Sequence, residues 1–385
     1  MNHWPSFKKD EIDAVTRVLR SGKVNYWTGK EGRQFEEEYA KYIGVEHAIA
    51  VANGSVALEL ALIALGIGPG DEVVVTPRSF IASVSCVHLV GAKPVFADVD
   101  PISGNLSAES IARVMTKKTK AVVLVHVAGW PCEMNDIMNL ADKHSIKVIE
   151  DCAQSHGSRY RGQQTGSIGH IGCFSFCQDK IITTGGEGGM VVTNNKKLWE
   201  KMWAYKDHGK DYDAVYNRSH PPGFRWLHES IGTNWRMTEM QSAIGRIWLS
   251  RLDQMVDARR KVADQYGKTL SQFSCIQLLD PPAHIHHSYY RYYFYLKPEE
   301  LKSGWNRERI MEAFSKYGVA CFSGTCSEIY KEKAMYSIWK KKTPLKNARH
   351  LGEVSMTLPI HPALTNKDIK TIKKITTEVL NTCNS

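Results

Sequence analysis

The sequence predicts an α/β protein built around a mostly parallel sheet that helices cover on both faces. Two observations support this class. Short, continuous apolar runs alternate with helical segments through the N-terminal part of the chain, and such runs are typical of strands that are buried on both faces. The length of 385 residues also exceeds that of most single domains. We therefore expect a large domain over residues 1–254 and a smaller α+β domain over residues 255–385.

The predicted elements of the large domain follow in order along the chain. A Gly-Ser turn opens a helix over Asn53–Leu65, and two more helices are predicted over Ser79–Val90 and Cys132–His144. The predicted strands are short runs of mainly apolar residues, namely Asp71–Thr76, Pro94–Val99, Ala121–Val127, Ile146–Asp151 and Gly172–Cys177. Alternation of strands with helices favours parallel pairing, because each helix returns the chain to the same edge of the sheet.

The C-terminal part of the sequence has a different texture. Met237–Leu270 is predicted to be one long helical stretch that bridges the two domains. Beyond it, Tyr289–Leu296 (YYRYYFYL) predicts a strand, and Arg307–Tyr317 and Asn366–Leu380 predict helices. This mixture indicates the smaller α+β domain.

The composition is that of a soluble globular protein, with 43% hydrophobic and 23% charged residues. No apolar run is long enough to span a membrane, and the first residues lack a secretory pattern, so we expect a cytoplasmic protein without a membrane partner. The nine cysteines match no paired zinc motif and predict reduced, mostly buried thiols. His284, His286 and His287 are interpreted as an exposed loop, and no metal is expected.

The net charge of +10 does not by itself indicate nucleic-acid binding. The lysine runs at Lys340–Lys342 and Lys367–Lys374 are interpreted as solvated helix faces, and no DNA- or RNA-binding motif accompanies them. A basic balance would equally attract a small molecule that carries a diphosphate. We therefore expect no nucleic-acid partner.

The most informative segment runs from Ile149 to Asn194. Its first strand ends at Asp151, its second predicted strand is followed by Lys180, and the glycine-rich stretch Gly185–Gly189 comes next. Ligands of open α/β sheets collect at the carboxyl ends of the strands. A carboxylate and a lysine are thus expected to lie together, beside backbone that can closely approach a ligand.

These are the parts that pyridoxal phosphate requires. Its aldehyde bonds to a lysine amine, and its ring nitrogen must stay protonated. A carboxylate at that nitrogen favours the protonated form by roughly one to three pKa units. Gly54 and Ser55 at the head of a helix, with Ser175 as a further hydroxyl, are candidates to bind the phosphate. Each residue alone also has an ordinary explanation as a solvated lysine, a cap or a buried hydroxyl.

The stretch SFCQDKIITTGGEGG resembles the lysine motif of the DegT/StrS-type sugar aminotransferases, a branch of the fold-type I pyridoxal-phosphate enzymes. Ser175, Phe176 and Lys180 match that pattern, and a Gly-Glu-Gly-Gly run follows. Cys177 stands where histidine is common in the family. The resemblance extends over nearly the whole chain, through the segments ANGS, PRSFIAS, IEDCAQSH, KDHG and GTNWRMTEMQSAIG.

The resemblance implies a role for each matching residue. Lys180 would carry the cofactor and Asp151 would contact its ring nitrogen, with Gln154 beside it. Phe80 would stack on the cofactor ring. Gly54, Ser55 and Ser175 would bind the phosphate. Asn234 would reach that phosphate from the neighbouring subunit of a homodimer, and the alternative is that Asn234 only caps the helix expected near Thr238.

The function implied is transfer of an amino group from L-glutamate to a keto sugar carried on UDP or dTDP. A 4-keto-6-deoxy sugar is the expected acceptor, giving a 4-amino sugar for surface glycans or O-antigen, and amination at C-3 is an alternative. Sugar dehydratases of the same superfamily have histidine in place of the lysine, so Lys180 argues against that chemistry. A non-catalytic module that binds pyridoxal phosphate or nucleotide is the remaining alternative.

Overall fold

A computed structural model describes residues 3–339 and 344–384, so the run Lys340–Lys342 lies outside the described residues. The α-helices in chain order are α1 Lys9–Ser21, α2 Glu31–Ile43, α3 Gly54–Ala64, α4 Ala82–Leu89, α5 Ala108–Val114, α6 Met134–His144, α7 Lys196–Lys206, α8 Tyr212–Tyr216, α9 Glu239–Ser250, α10 Leu252–Leu270, α11 Arg307–Lys316, α12 Lys346–Val354 and α13 Asn366–Cys383. The strands are β1 His47–Val51, β2 Glu72–Val75, β3 Lys93–Phe96, β4 Thr119–Val125, β5 Lys147–Asp151, β6 Arg159–Tyr160, β7 Gln163–Gln164, β8 Ile171–Ser175, β9 Gly189–Thr193, β10 Ile276–Gln277, β11 Ile285–His286, β12 Tyr292–Leu296 and β13 Ser355–Leu358.

A seven-stranded mixed sheet forms the centre of the molecule, in the order β1-β9-β8-β5-β4-β2-β3. The pairs β3–β2, β2–β4, β4–β5 and β5–β8 are parallel. Strand β9 pairs antiparallel with both β8 and β1. The predicted α/β class with a mostly parallel sheet is therefore confirmed.

Both faces of this sheet are buried, which explains the continuous apolar runs in the sequence. In β2, Val73 and Val75 pack in one hydrophobic cluster with α3 and α4, whereas Val74 packs in another with α6 and α12. Successive side chains of a strand point to opposite faces. Each face therefore needs apolar residues, and no alternation with polar residues develops.

A second three-stranded sheet, in the order β10-β12-β13, lies in the C-terminal part of the chain. It shares one hydrophobic cluster with α10, α11 and α13. Other C-terminal segments pack elsewhere: β11 pairs with β6, and Ile329 and Met335 join a cluster of the central sheet. The division of the chain at residues 254 and 255 stays a prediction.

Most predicted elements are confirmed within a few residues, but the helical stretch predicted over Met237–Leu270 is not continuous. The structure has two helices there, α9 and α10, with Arg251 between them at φ −109° and ψ 0°. The Arg251 guanidinium pairs with the carboxylates of Asp10 and Glu11 on α1. The helical break thus lies at a residue that α1 holds through two ion pairs, and the sequence of α9 and α10 alone does not signal it.

Two further boundaries differ from the prediction for local reasons. Helix α4 begins at Ala82, three residues after the predicted start, because the segment before it forms a turn at the end of β2. Strand β12 begins at Tyr292 rather than Tyr289, whose φ of 50° is incompatible with a strand.

The other composition-based expectations have mixed outcomes. All nine cysteines are free thiols, and most of them are buried, as predicted. The exposed lysines Lys367, Lys370 and Lys374 lie on α13 and form a solvated helix face, as predicted. The interpretation of the three histidines as an exposed loop is wrong in part, because His286 belongs to β11 and His287 is buried. Within the described residues, no helix is both long enough and apolar enough to span a bilayer.

Candidate active site

Asp151 and Lys180 come from adjacent parallel strands. Asp151 is the last residue of β5, and its register partner in β8 is Cys173. Lys180 lies in the turn that follows β8, where its N–H donates to the Cys177 carbonyl at 3.0 Å. Because both strands run in the same direction, the two side chains are delivered to the same edge of the sheet.

The Asp151 carboxylate is buried and has few protein donors. The Ser83 hydroxyl donates to Oδ2 at 2.7 Å, and the Ala153 N–H donates to Oδ1 at 3.1 Å. Burial raises the pKa of Asp151, and these two hydrogen bonds and the charge of Lys180 only partly offset that rise. The carboxylate would therefore gain from a further cationic partner.

Lys180 is largely buried and faces polar side chains. Its Nζ donates to the Tyr290 hydroxyl at 3.3 Å and lies 3.1 Å from Asp179 Oδ1. Burial would lower the pKa of Lys180, but its contacts with Tyr290 and Asp179 outweigh burial and raise it. Its backbone carbonyl accepts a hydrogen bond from Trp4 Nε1 at 3.0 Å.

The turn before α3 lies against the end of β8. A Cβ on Gly54 would come within 2.6 Å of the Ser175 Cβ, so only glycine allows this approach. The Asn53 side chain caps α3 by accepting from the Val56 N–H at 3.0 Å, and Ser55 is exposed. The first N–H groups of a helix have no acceptor within it. Together with the hydroxyl of Ser175, they form an arrangement that suits an anion.

Members of the glycine-rich stretch Gly185–Gly189 pack closely against other parts of the protein, whereas a Cβ on Gly186 would meet no atom within 4 Å. A Cβ on Gly189 would lie 2.4 Å from the Asn53 carbonyl oxygen, and one on Gly188 would lie 2.1 Å from Thr184 Oγ1. Gly185 has a positive φ of 90°. Gly189 thus allows the start of β9 to lie against the turn before α3, and the close approach of this backbone to a ligand stays a prediction.

Gln154 and Phe80 lie on loops at this edge of the sheet. The Gln154 Oε1 accepts from the Ala128 N–H at 2.8 Å, and the side chain is buried. Phe80, in the turn between β2 and α4, is 68% exposed. Within residues 3–339 and 344–384 it has no contact with another aromatic ring.

Asn234 is exposed and lies in an extended segment next to the turn before α3. The neighbouring Trp235 carbonyl accepts from the Ala52 N–H at 2.8 Å. Asn234 does not cap α9, because Thr238 is the N-cap and its side chain accepts from the Gln241 N–H. The helix-cap alternative for Asn234 is therefore wrong.

Several polar residues at this edge were not predicted from the sequence. Ser83 and His156 lie within the segments PRSFIAS and IEDCAQSH, so their neighbourhood was signalled but their contacts were not. The His156 Nε2–H donates to the Ser175 carbonyl at 2.8 Å, and Nδ1 accepts from the Tyr39 hydroxyl at 3.1 Å. Burial lowers the pKa of His156 to about 3. The sequence does not single out Tyr290 as a site residue, because the run YYRYYFYL contains several tyrosines in the same pattern.

One buried group has the residue types of a metal site. The candidate ligand atoms of His126, Glu150 and Cys152 lie within 4.8 Å of one another. However, the Glu150 carboxylate accepts from three backbone N–H groups and from His126 Nε2, and His126 Nδ1 accepts from the Cys132 N–H. These hydrogen bonds occupy the ligand atoms of Glu150 and His126, so a structural role accounts for the group.

The residues at this edge fit pyridoxal phosphate. The amine of Lys180, the buried carboxylate of Asp151 and the N-terminus of α3 supply the three kinds of contact that the group needs. The contact of Gly54 with Ser175 places a helix N-terminus beside a hydroxyl. The fold and this set of donors are those of a pyridoxal-phosphate-dependent transferase.

Comparison with known proteins identifies the family. The family model described as the DegT/DnrJ/EryC1/StrS aminotransferase family matches residues 5–376, and the chain belongs to that family. A GDP-perosamine synthase of Escherichia coli O157:H7 is 35% identical, over 95% of this chain and 94% of that protein. A UDP-N-acetyl-3-dehydro-alpha-D-glucosamine 3-aminotransferase of Acidithiobacillus ferrooxidans is 35% identical, over 97% and 94%.

A solved structure covers the whole chain. The aminotransferase from Psychrobacter cryohalolentis superimposes with a TM-score of 0.97 at 51% identity, over 99% of both chains. The predicted fold-type I architecture and the predicted cofactor, pyridoxal 5′-phosphate, are both confirmed. The protein is an aminotransferase.

Proposed function

We propose that this protein moves an amino group from L-glutamate to a 4-keto-6-deoxy sugar carried on UDP or dTDP. The product would be a 4-amino sugar for surface-glycan or O-antigen synthesis. The observation that carries the proposal is the delivery of Lys180 and Asp151 to one edge of the sheet by the parallel strands β5 and β8.

Lys180 and Asp151 have distinct roles in the proposed reaction. Pyridoxal phosphate, when bound, supplies an aldehyde for an amine and a protonated ring that accepts electrons. Asp151 would hold the proton on the ring nitrogen, and its raised pKa indicates a carboxylate without a full complement of protein donors. Lys180 would bond to the cofactor at rest, and its free amine would carry the proton from the substrate carbon.

The remaining residues would hold the cofactor in place. Gly54, Ser55 and Ser175 would bind the phosphate at the N-terminus of α3. Gln154 would lie beside the ring, and Phe80 would stack on it. The 68% exposure of Phe80 and its position on a turn at the same edge support a ring that is available to a ligand.

The acceptor is inferred from the relatives. Both relatives described above are named for sugars linked to a nucleoside diphosphate, one for a GDP sugar and the other for a 3-amino product of a UDP sugar. These names support a nucleotide-linked keto sugar as the acceptor class. The 3-aminotransferase keeps C-3 transfer as the second candidate.

Two measurements test this function. Adding L-glutamate to the holoprotein should convert the visible absorption band of the lysine-bound cofactor to that of the amino form. A non-catalytic binding module would leave the band unchanged. Product analysis by NMR with UDP-, dTDP- and GDP-linked 4-keto and 3-keto sugars should then give a 4-amino sugar on UDP or dTDP. A 3-amino product, or turnover with GDP sugars alone, would contradict the proposed acceptor.

The proposal includes a homodimer in which each site contains residues of both subunits. Asn234 is exposed, lies next to the turn before α3 and does not cap a helix. Its Oδ1 accepts a long hydrogen bond from the Arg236 N–H at 3.5 Å, and its NH2 group would be the donor to the site of a partner subunit. Closed two-fold symmetry is the commonest oligomer. Asn234 would bind the phosphate of the cofactor that is held in the neighbouring subunit.

Mixing two inactive variants tests the shared site. Lys180→Ala and Asn234→Ala proteins should recover activity when their subunits exchange, because one of the two sites in each mixed dimer would then be intact. Mixing Lys180→Ala with Asp151→Ala is the matched control, since both changes lie in one subunit's part of the site. Full activity of a monomer in light scattering would contradict the dimer.

A further inference from the structure

Lys180 contacts two side chains, Asp179 and Tyr290, that have no role in the function proposed above. Its Nζ lies 3.1 Å from Asp179 Oδ1 and 3.3 Å from the Tyr290 oxygen. The Tyr290 hydroxyl in turn donates to Asp179 Oδ2. Nζ also lies 5.0 Å from the centre of the Tyr290 ring. The three groups contact one another as one set, and the Arg291 guanidinium lies 3.4 Å from the same Asp179 Oδ2.

The set is built from distant parts of the chain and is fixed on each side. The buried Arg259 on α10 donates to the carbonyls of Tyr290, at 3.4 Å, and Ile360, at 2.6 Å. Trp4 donates to the Lys180 carbonyl at 3.0 Å, and the Arg259 guanidinium lies 5.2 Å from the Trp4 ring. Because the backbone is held at both Lys180 and Tyr290, the contact between their side chains is part of the fold.

The charges around Lys180 favour a cation at this position. Asp179 on its own loop and Tyr290 before β12 contact Lys180 directly, and the charge of Lys180 also acts on Asp151 and His156. The cations Arg259 and Arg291 face Tyr290 and Asp179 instead. Burial acts to raise the pKa of Asp179, but Lys180 and Tyr290 outweigh it and lower that pKa. An ionised Asp179 beside Lys180 stabilises the ammonium.

We propose that Asp179 and Tyr290 are positioning residues that stabilise Lys180 as an ammonium ion, the form it reaches after taking a proton from the substrate carbon. This inference rests on the proposed function, in which Lys180 is the proton carrier. Neither side chain touches the reacting carbon in this assignment. They act by holding the proton-bearing amine in one place.

The proton balance of this step is simple. The lone pair of the free Lys180 amine takes the proton, and the electron pair of the broken C–H bond stays on the substrate side. The resulting ammonium donates to Tyr290 and Asp179. The ammonium would then give up that proton on the cofactor side and return to a neutral amine, so no further oxidant, reductant or base would be required.

The test is competitive labelling of the cofactor-free full-length protein with acetic anhydride across a range of pH. Acetic anhydride reacts only with neutral amines, and mass spectrometry of peptides reports each lysine separately. Asp179→Asn should lower the apparent pKa of Lys180 by about one unit or more, so that labelling at a fixed pH rises about tenfold. Tyr290→Phe should shift it in the same direction but by less, since no formal charge is removed.

Matched variants make the result specific. Asp179→Glu keeps the carboxylate and should restore most of the wild-type titration. Tyr289→Phe and Asp280→Asn change a tyrosine and an aspartate that are not among the groups acting on Lys180, and should leave the Lys180 titration unchanged. Identical Lys180 titrations in wild type and Asp179→Asn would overturn the proposal, as would an equal shift in the two control variants. Labelling needs neither substrate nor turnover, so its outcome is distinguishable from failure of the proposed aminotransferase reaction.

Discussion

Glu150 and Asp151 are consecutive buried residues of β5 whose side chains point to opposite faces of the sheet. On one face, His126 and three backbone N–H groups donate to Glu150. On the other, the donors to Asp151 among the described residues are the Ser83 hydroxyl and the Ala153 N–H. Burial acts to raise both pKa values, yet hydrogen bonds hold that of Glu150 below its usual range and that of Asp151 stays above it.

The difference shows how one strand can carry a structural and a functional carboxylate. Glu150 is completed by the protein itself, so its charge stabilises the fold. Asp151 is left with capacity for a cation that the chain does not supply. The face on which Asp151 lies is therefore the one that we expect to respond to the cofactor, and the following predictions test that contrast.

The largest effect on turnover is expected from Lys180→Ala, which changes the face of the sheet on which Asp151 lies. The variant should fold, yet lose its borohydride-fixable cofactor link and lose turnover by on the order of 10⁴-fold or more. Lys180 is the lysine whose charge acts on Asp151. Mass spectrometry after borohydride reduction, together with a glutamate assay, checks this. A surviving covalent link with normal turnover would mean that the lysine has been assigned wrongly.

On the Glu150 side, Glu150→Gln should act on stability. An amide cannot accept from all four donors, so the free energy of unfolding should fall by about 3 kcal/mol. The folded-state pKa of Glu150 is lowered, so its stabilisation is present above the unfolded pKa of about 4.3 and is lost as pH falls through the folded pKa. Urea denaturation of cofactor-free protein at several pH values measures this difference.

The comparison with turnover is the control for that variant. Folded Glu150→Gln protein should retain turnover within about threefold of wild type, because Glu150 faces away from Lys180. A loss of turnover as large as that of an Asp151 variant would contradict the assignment of Glu150 as structural and Asp151 as functional.

Asp151→Asn should have the opposite combination of effects. Without the charge that keeps the ring nitrogen protonated, turnover should fall by about 100-fold, while cofactor binding is retained. The cofactor-free protein should instead become more stable at neutral pH, because burial raises the pKa of Asp151. The ionised form of Asp151 destabilises the fold, and this cost appears as pH rises from the unfolded pKa to the raised folded pKa. Near-native turnover would reduce Asp151 to a structural cap.

The smallest effect is expected from Trp4→Phe, which probes the distant support of the Lys180 loop. The ring contacts with Trp248 and His361 would be largely kept, and one hydrogen bond to the Lys180 carbonyl would be lost, costing about 1 kcal/mol. Reformation of the covalent cofactor link should slow by less than about tenfold in stopped-flow absorbance. Trp248→Phe is the matched change, since Trp248 Nε1 lacks a hydrogen-bond partner among the described residues. An equal slowing in both variants would assign the effect to packing.

Much of the fold and part of the candidate site were predictable because their signals are local. Continuous apolar runs predicted the strands, because a strand that is buried on both faces is apolar along its own sequence. Asp151 and Lys180 each follow such a run, so their meeting at one edge required only that the two strands be parallel. The motif around Lys180 then indicated the family.

The contacts between distant segments were decided by the tertiary structure alone. The break at Arg251 coincides with ion pairs to α1, and the contact of Tyr290 with Lys180 joins residues 110 positions apart. The differing surroundings of Glu150 and Asp151 also depend on which loops cover each face of β5. Sequence periodicity indicates which faces of a segment are buried or exposed. Which side chains the segment contacts depends on how all the segments pack together.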